Sequence, residues 1–183
     1  MLGDPEDRHF SPFILDNPIR KIIDNPRKII KRYIKEGDYV ADIGAGPGVY
    51  TIELAKLVGE KGKVYASDSD PKMVQVLKKK INKLNLKNVI VELASADNIK
   101  FIESNTIDFA FSNGVLCCMV NHKGAIEEIN RILKEKGIAF ISVEKISKGP
   151  TAIPKNEWRD LINKFNIIEE REGLFNRYAI ISK

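Results

Sequence analysis

Between Tyr39 and Val143, short apolar runs alternate with stretches whose apolar residues recur every three to four positions. The short runs predict strands at 39–43 (YVADI), 63–67 (KVYAS), 89–93 (VIVEL), 106–111 (TIDFAF) and 137–143 (GIAFISV). The longer-period stretches predict helices at 48–58, 71–84 and 122–135. Met73, Leu77, Ile81 and Leu84 share one face of the second, and Ile126, Ile129, Ile132 and Leu133 one face of the third. Strands apolar on both faces and separated by helices call for a parallel sheet covered on both sides. A helix at 155–165 follows, then two strand-like runs, 166–171 and 174–182, linked through Gly173. So short a link joins antiparallel neighbours, because a parallel crossover needs a dozen or more residues. The expected fold is doubly wound α/β, a mostly parallel seven-stranded sheet with an antiparallel C-terminal strand pair.

Upstream of the sheet, DNPIRKII at 16–23 is nearly repeated as DNPRKII at 24–30. Asn17-Pro18 and Asn25-Pro26 each read as an N-cap followed by proline in a first helical turn. Two short helices are predicted, the second with Ile29, Ile30, Tyr33 and Ile34 on one face. Residues 1–15 are broken by Gly3, Pro5 and Pro12, yet they carry Phe10, Phe13, Ile14 and Leu15, too apolar for a solvated tail. This arm is expected either to close over the sheet's ligand crevice or to pack on the outer helices. The chain reads as one domain over residues 1–183. An arm with helices (1–37) precedes a core (38–145), which is followed by a C-terminal helix and strand pair (146–183).

Composition narrows the function. With 183 residues, 43% of them hydrophobic and 30% charged, the chain can bury a core. It has no apolar run near the ~20 residues of a membrane helix, so no membrane partner is expected. The first ten residues offer no hydrophobic stretch for a secretory signal. Cys117 and Cys118, the two cysteines, are adjacent and therefore poor disulfide partners, which fits a reducing compartment and a cytoplasmic location. Iron–sulfur and Cys-rich zinc sites are excluded, and no metal site is expected. The net charge of +5 is concentrated at 20–35, with seven basic residues against Asp24. A uniformly basic nucleic-acid binder would be charged throughout.

The chemistry centres on VADIGAGPGVY, residues 40–50, which runs from an apolar strand into a helix start. Ligands of such sheets bind beyond the strands' carboxyl ends. Gly44, Gly46 and Gly48 let the backbone turn sharply and approach a ligand. Val49 stands where a dinucleotide fingerprint has its third glycine, and no Gly-Lys-Ser/Thr of a Walker phosphate loop follows. The next strand ends in Asp68, twenty residues past Gly48, where a carboxylate can accept two hydrogen bonds from a ribose diol. Asp70, next to Pro71, is the better helix cap, which leaves Asp68 free for that role.

These features stand in an ordered series over about 38–143 that resembles the class I S-adenosylmethionine-dependent methyltransferases, particularly the group with quinone-biosynthesis and other small-molecule enzymes. VADIGAGPGVYT resembles the family's glycine-rich motif and YASDSDPKM its second, acidic motif. ASADNIKF (94–101) resembles the stretch after strand 3, DFAFSNGVL (108–116) strand 4 and its exit, and EEINRILKEKG (127–137) the helix before strand 5. The resemblance implies S-adenosyl-L-methionine as cofactor. It puts Gly44 and Gly46, in the loop that Ala45 and Gly48 complete, beside the methionine end, with Asp42 supporting the loop and the amine. Asp68 would take the ribose hydroxyls, Ser69 and Met73 would flank the adenosine, and Ala96 and Asp97 would hold the adenine amino group. Ser112 and Asn113 would lie beneath the sulfonium.

The departures are informative as well. Ser112-Asn113-Gly114-Val115 is not the Asn/Asp-Pro-Pro-aromatic signature of enzymes that methylate base or amide nitrogens, and the acid of metal-assisted catechol-type enzymes is missing. No general base stands out. Cys117, Cys118 and His122 follow strand 4 as either a thiol or soft-metal site or small core residues, with packing favoured, and Trp158 reads as a packing residue. The expected function is methyl transfer to a small molecule. A protein or RNA acceptor, a non-catalytic cofactor-binding subunit and a dinucleotide oxidoreductase stay open, as does a homodimer.

Overall fold

The computed structural model describes residues 3–7, 26–145 and 148–183, and all seven expected strands form within them. In chain order the elements are α1 (Arg27–Tyr33), β1 (Tyr39–Ile43), α2 (Thr51–Val58), β2 (Lys63–Asp68), α3 (Pro71–Lys83) and β3 (Val89–Leu93). Then come β4 (Ile107–Asn113), a 3-10 turn (Leu116–Cys118), α4 (His122–Ile132) and β5 (Leu133–Glu144). A second 3-10 turn (Gly149–Thr151), α5 (Lys155–Ile162), β6 (Asn166–Glu172) and β7 (Asn176–Ser182) complete the series.

The strands form one sheet in the order β3-β2-β1-β4-β5-β7-β6. The first five are parallel, and β7 runs antiparallel to both β5 and β6. The order reverses between β1 and β4, and the crevice of a doubly wound sheet lies above that switch point.

Alternation along each strand sends neighbours to opposite faces. Val40, Phe109, Phe111, Phe140 and Ile180 pack with Ile30 of α1 and with Leu54 and Val58 of α2. Ala41, Ile43, Ala110, Ile141 and Ile181 pack with Ile126 and Ile129 of α4 and with Trp158 and Leu161 of α5. On the first face an aromatic row crosses three strands. Tyr50 meets Phe111 at 4.9 Å between ring centroids, Phe111 stacks on Phe140 at 5.2 Å, and Phe140 meets Tyr178 at 5.5 Å. Trp158 is fully buried, and its indole N–H donates to Glu170 Oε1 at 2.8 Å, so it is a packing residue with its polar edge satisfied.

Several boundaries differ from expectation. The helix expected from residue 48 begins at Thr51, because Gly48 holds a φ of +85° that no right-handed helix contains. The helix expected to reach 135 stops at Ile132. Leu133 already pairs with Ile107, and the register then shifts before Phe109 meets Ile138. Lys136, at φ +65°, makes that irregularity. The late helix ends at Ile162 rather than 165. The first of the two short N-terminal helices and the Asn25 cap lie outside the described residues. Here the second helix starts at Arg27, directly after Pro26.

Candidate active site

The end of β1 turns through three glycines with left-handed backbones: Gly44 (φ +69°), Gly46 (+55°) and Gly48 (+85°). A Cβ on Gly44 would collide with the side chain of Val115, and one on Gly48 with that of Leu77. Bare backbone therefore lets the exit of β4 and the body of α3 close on this loop. Ala45 N–H donates to Ser67 O at 2.8 Å, and Gly48 N–H to Ala45 O at 3.0 Å, tying the loop to the end of β2.

Asp68 stands where loop and α3 meet. Its Oδ2 accepts Gly46 N–H at 2.8 Å and its Oδ1 accepts Asp70 N–H at 2.9 Å. Asp70 caps α3 through Lys72 N–H at 2.8 Å, the cap expected from the Asp-Pro step. Ser69 is half-buried between the two acids, and Met73 is buried at the start of α3.

Asp42 lies beneath the loop, 2% exposed, and Thr51 Oγ1–H donates to its Oδ2 at 2.6 Å. Burial pushes this carboxyl up to about 7; the Thr51 hydrogen bond opposes the shift and the charge of Asp68 adds to it. Such a group is half-ready to ionise and gains most from a nearby cation. The amine of an amino-acid ligand meets that need, so the residues present fit the cofactor that the motifs imply.

The remaining expected residues come to the same edge of the sheet. Ile43 pairs with Ser67 on one side and Ser112 on the other, which sets Gly44, Asp68 and Asn113 level. Ala96 is buried, and half-buried Asp97 accepts Asn121 Nδ2–H at 2.7 Å. Asn121 also caps α4 by accepting Gly124 N–H at 3.1 Å, so one side chain joins the exits of β3 and β4. Ser112 is buried, and its hydroxyl has no partner among the described residues. Asn113 Oδ1 accepts from Ser142 Oγ at 2.7 Å, while Ser142 Oγ accepts Gly114 N–H at 3.0 Å.

Four side chains at this edge were not singled out from the sequence. Thr51, within the glycine motif, holds Asp42. Asn121 had a legible signal, being polar and directly before a predicted helix. Glu157 had none, since it meets His122 from 35 residues away, with Nδ1 to Oε1 at 2.6 Å. Asp7 accepts Val120 N–H at 2.8 Å, and a Cβ on Gly3 would sit 3.6 Å from Ser95 Oγ. The arm thus touches the loops that leave β3 and β4, although Phe10, Phe13, Ile14 and Leu15 lie outside the described residues. The thiols of Cys117 and Cys118 lie 3.4 and 3.3 Å from Gly114 O, and Cys117 Sγ accepts Glu144 N–H at 3.3 Å. They are tied to backbone around the β4 exit rather than paired with each other.

The family described as methyltransferase domain matches residues 34–168. A SAM dependent methyltransferase from Aquifex aeolicus, known from its crystal structure, superposes with a TM-score of 0.82 at 32% identity, covering 95% of this chain and 99% of that one. A probable cobalt-precorrin-6B C(15)-methyltransferase (decarboxylating) of Sulfolobus acidocaldarius is 34% identical over 95 residues, 52% of this chain and 45% of that protein. A demethylmenaquinone methyltransferase of Bacillus cereus is 33% identical over 104 residues, 57% of this chain and 44% of that protein. The chain spans under half the length of these two curated relatives.

Proposed function

The chain belongs to the class I S-adenosylmethionine-dependent methyltransferases, and from that membership we propose that residues 1–183 work as one domain that methylates a small molecule. The observation that carries the reading is the meeting of the Gly44–Gly48 loop with Asp68 at the switch point of the sheet. Bound there, the cofactor supplies a methyl group on a sulfonium, already activated for in-line displacement.

In this reading the protein contributes alignment and a dry site. Asp68 holds the ribose hydroxyls while Gly46 N–H fixes its carboxylate. Asp42, steadied by Thr51, faces the amine and gives up its proton as the cation arrives. Asp97 and the backbone of Ala96 hold the adenine, Ser69 and Met73 border the adenosine, and Ser112 and Asn113 lie beneath the reacting carbon. A small-molecule acceptor is supported by the relatives, whose names give a precorrin and a demethylmenaquinone as what they methylate. No described helix is long and apolar enough to cross a membrane. A cytoplasmic setting belongs to the same reading, supported by the adjacency of Cys117 and Cys118, which makes them poor disulfide partners.

Isothermal calorimetry with S-adenosylmethionine, S-adenosylhomocysteine and NAD tests the reading. Both adenosyl ligands are expected to bind at one site per chain. Binding of NAD alone would overturn it.

A further inference from the structure

The helices charge the two faces of the sheet unequally. Ala66 follows Val64 by two residues and so shares the face of Val40, and Val91 stands opposite Ala66 on β3. α3 packs there through Val74, Leu77 and Ile81, which puts α1, α2 and α3 together on one face. These helices carry ten basic residues, four on α1, one on α2 and five on α3, against the single acid Glu53. On the opposite face α4 and α5 carry four basic residues and four acids. The chain is not uniformly basic; its helical cations are sorted to one side.

Within that side the cations form two strips. α2 lies between the other helices: Arg27 of α1 donates to its Glu53 at 2.7 Å, and its Ile52 packs with Val74, Leu77 and Ile81 of α3. Packed helix axes stand about 8–10 Å apart, so the α1 and α3 strips are separated by about 16–20 Å. On α3, Met73, Val74, Leu77 and Ile81 are buried, while Lys72, Lys79 and Lys83 follow one line on the outer side, at i, i+7 and i+11. At about 1.5 Å per residue that line is about 16 Å long. All three lysines are exposed and have no salt bridge among the described residues, and the same holds for Lys28 and Lys31 on α1.

Two exposed lines of like charge repel each other and are relieved by a polyanion, which gains further by shedding its counterions. The side chains between the cations select which polyanion. Among the described residues none of the three helices exposes a large apolar side chain, so they offer little to enter a bilayer and no aromatic ring for single-stranded bases to stack on. Two backbones flanking a groove match two strips flanking α2, whose own Glu53 and Lys56 balance. The minor groove of A-form RNA is wide and shallow, within reach of a middle helix level with its neighbours, whereas the major groove of B-form DNA is deep.

We infer that the α1–α3 face docks double-stranded RNA through its phosphates, with Lys72, Lys79 and Lys83 along one strand and Lys28 and Lys31 along the other. This goes beyond the methyltransferase reading and does not depend on it. The strips run along the side of the sheet, the glycine loop and Asp68 stand at its carboxyl edge, and the docked RNA is a partner rather than the methyl acceptor.

Fluorescence anisotropy of the full chain with a labelled RNA duplex of about 20 base pairs, long enough to present two minor grooves, tests the inference. Binding is expected at low salt and should weaken about tenfold or more between about 50 and 200 mM salt. Lys79→Glu with Lys83→Glu, and separately Lys28→Glu with Lys31→Glu, should each weaken it at least about tenfold, while Lys123→Glu with Arg159→Glu on the opposite face changes it less than about twofold. Thermal melts report whether the variants fold. In the wild type, the duplex should shield Lys28, Lys31, Lys79 and Lys83 from an amine-acetylating reagent and leave Lys123 reactive, a readout that needs no variant. The inference is overturned by absence of binding, by binding that survives both reversals in folded protein, or by modification that ignores the duplex. Equal or tighter binding of single-stranded RNA, of duplex DNA, or of vesicles of phosphatidylserine and phosphatidylcholine overturns it as well. Failure of the wild type to bind S-adenosylhomocysteine overturns the methyltransferase reading and leaves this one standing.

Discussion

At the scale of single residues, Asp42 couples stability to pH in a direction opposite to most carboxylates. In the unfolded chain it releases its proton near 3.8; in the folded chain burial retains that proton to about 7. Between those values the folded state holds one proton more than the unfolded. Its contribution is therefore fully present below 3.8 and is lost as pH rises towards 7, at about 1.4 kcal/mol per unit at most. Asp42→Asn keeps an oxygen for Thr51 and removes the titration. Thermal melts of this variant are expected to show a smaller loss of stability than wild type between pH 4 and 7, and a higher melting temperature at pH 8. Calorimetry is expected to show S-adenosylmethionine affinity at least tenfold lower. In the wild type, binding at pH 6 should expel a proton from Asp42, seen as an enthalpy that changes with the ionisation heat of the buffer. Asp68→Asn probes the other end of the ligand. In the proposed role each charge-assisted bond to the ribose would contribute about 1.5–3 kcal/mol, so the neutral amide should lower affinity by roughly ten- to a hundredfold. Its remaining carbonyl oxygen still accepts one backbone N–H, and the melting temperature should move little.

Elements show which local signals survive folding. The five parallel strands were legible because both their faces are apolar, and the start of α3 because Asp70-Pro71 carries its own cap chemistry. The glycine loop was legible because three alternating glycines have few other uses, and each has the positive φ that only glycine adopts easily. What stayed hidden is fixed by partners distant in sequence. Leu133 joins β5 because Ile107 waits beside it, and Glu157 meets His122 because α5 packs on α4. Periodicity cannot report either contact. Gly48→Ala tests how tightly the loop couples α2 to α3. Its methyl would strike Leu77 in a left-handed backbone, a strain on the order of 1–3 kcal/mol. A lower melting temperature together with weaker cofactor binding is expected, and unchanged values for both would show that the loop has slack.

Across the whole molecule, the carboxyl edge of the sheet gathers contributions from nearly every segment, including residues 3–7, whose Asp7 reaches the β4 exit loop. Removing residues 1–15 is expected to leave a folded protein that binds S-adenosylmethionine several-fold more weakly. A truncated chain that melts earlier but binds as before would show the arm to be packing. The place of β7 has a consequence for synthesis. It lies between β5 and β6 yet follows both in the chain, and it supplies hydrogen bonds to each. As the polypeptide leaves the ribosome, β5 presents a bare edge beside Phe140 and Ile141 until residues 176–182 emerge. Such an edge is a template for pairing with another nascent chain. Translation that stalls before Asn176 would therefore yield a sticky product that depends on chaperones while it waits for its missing strand.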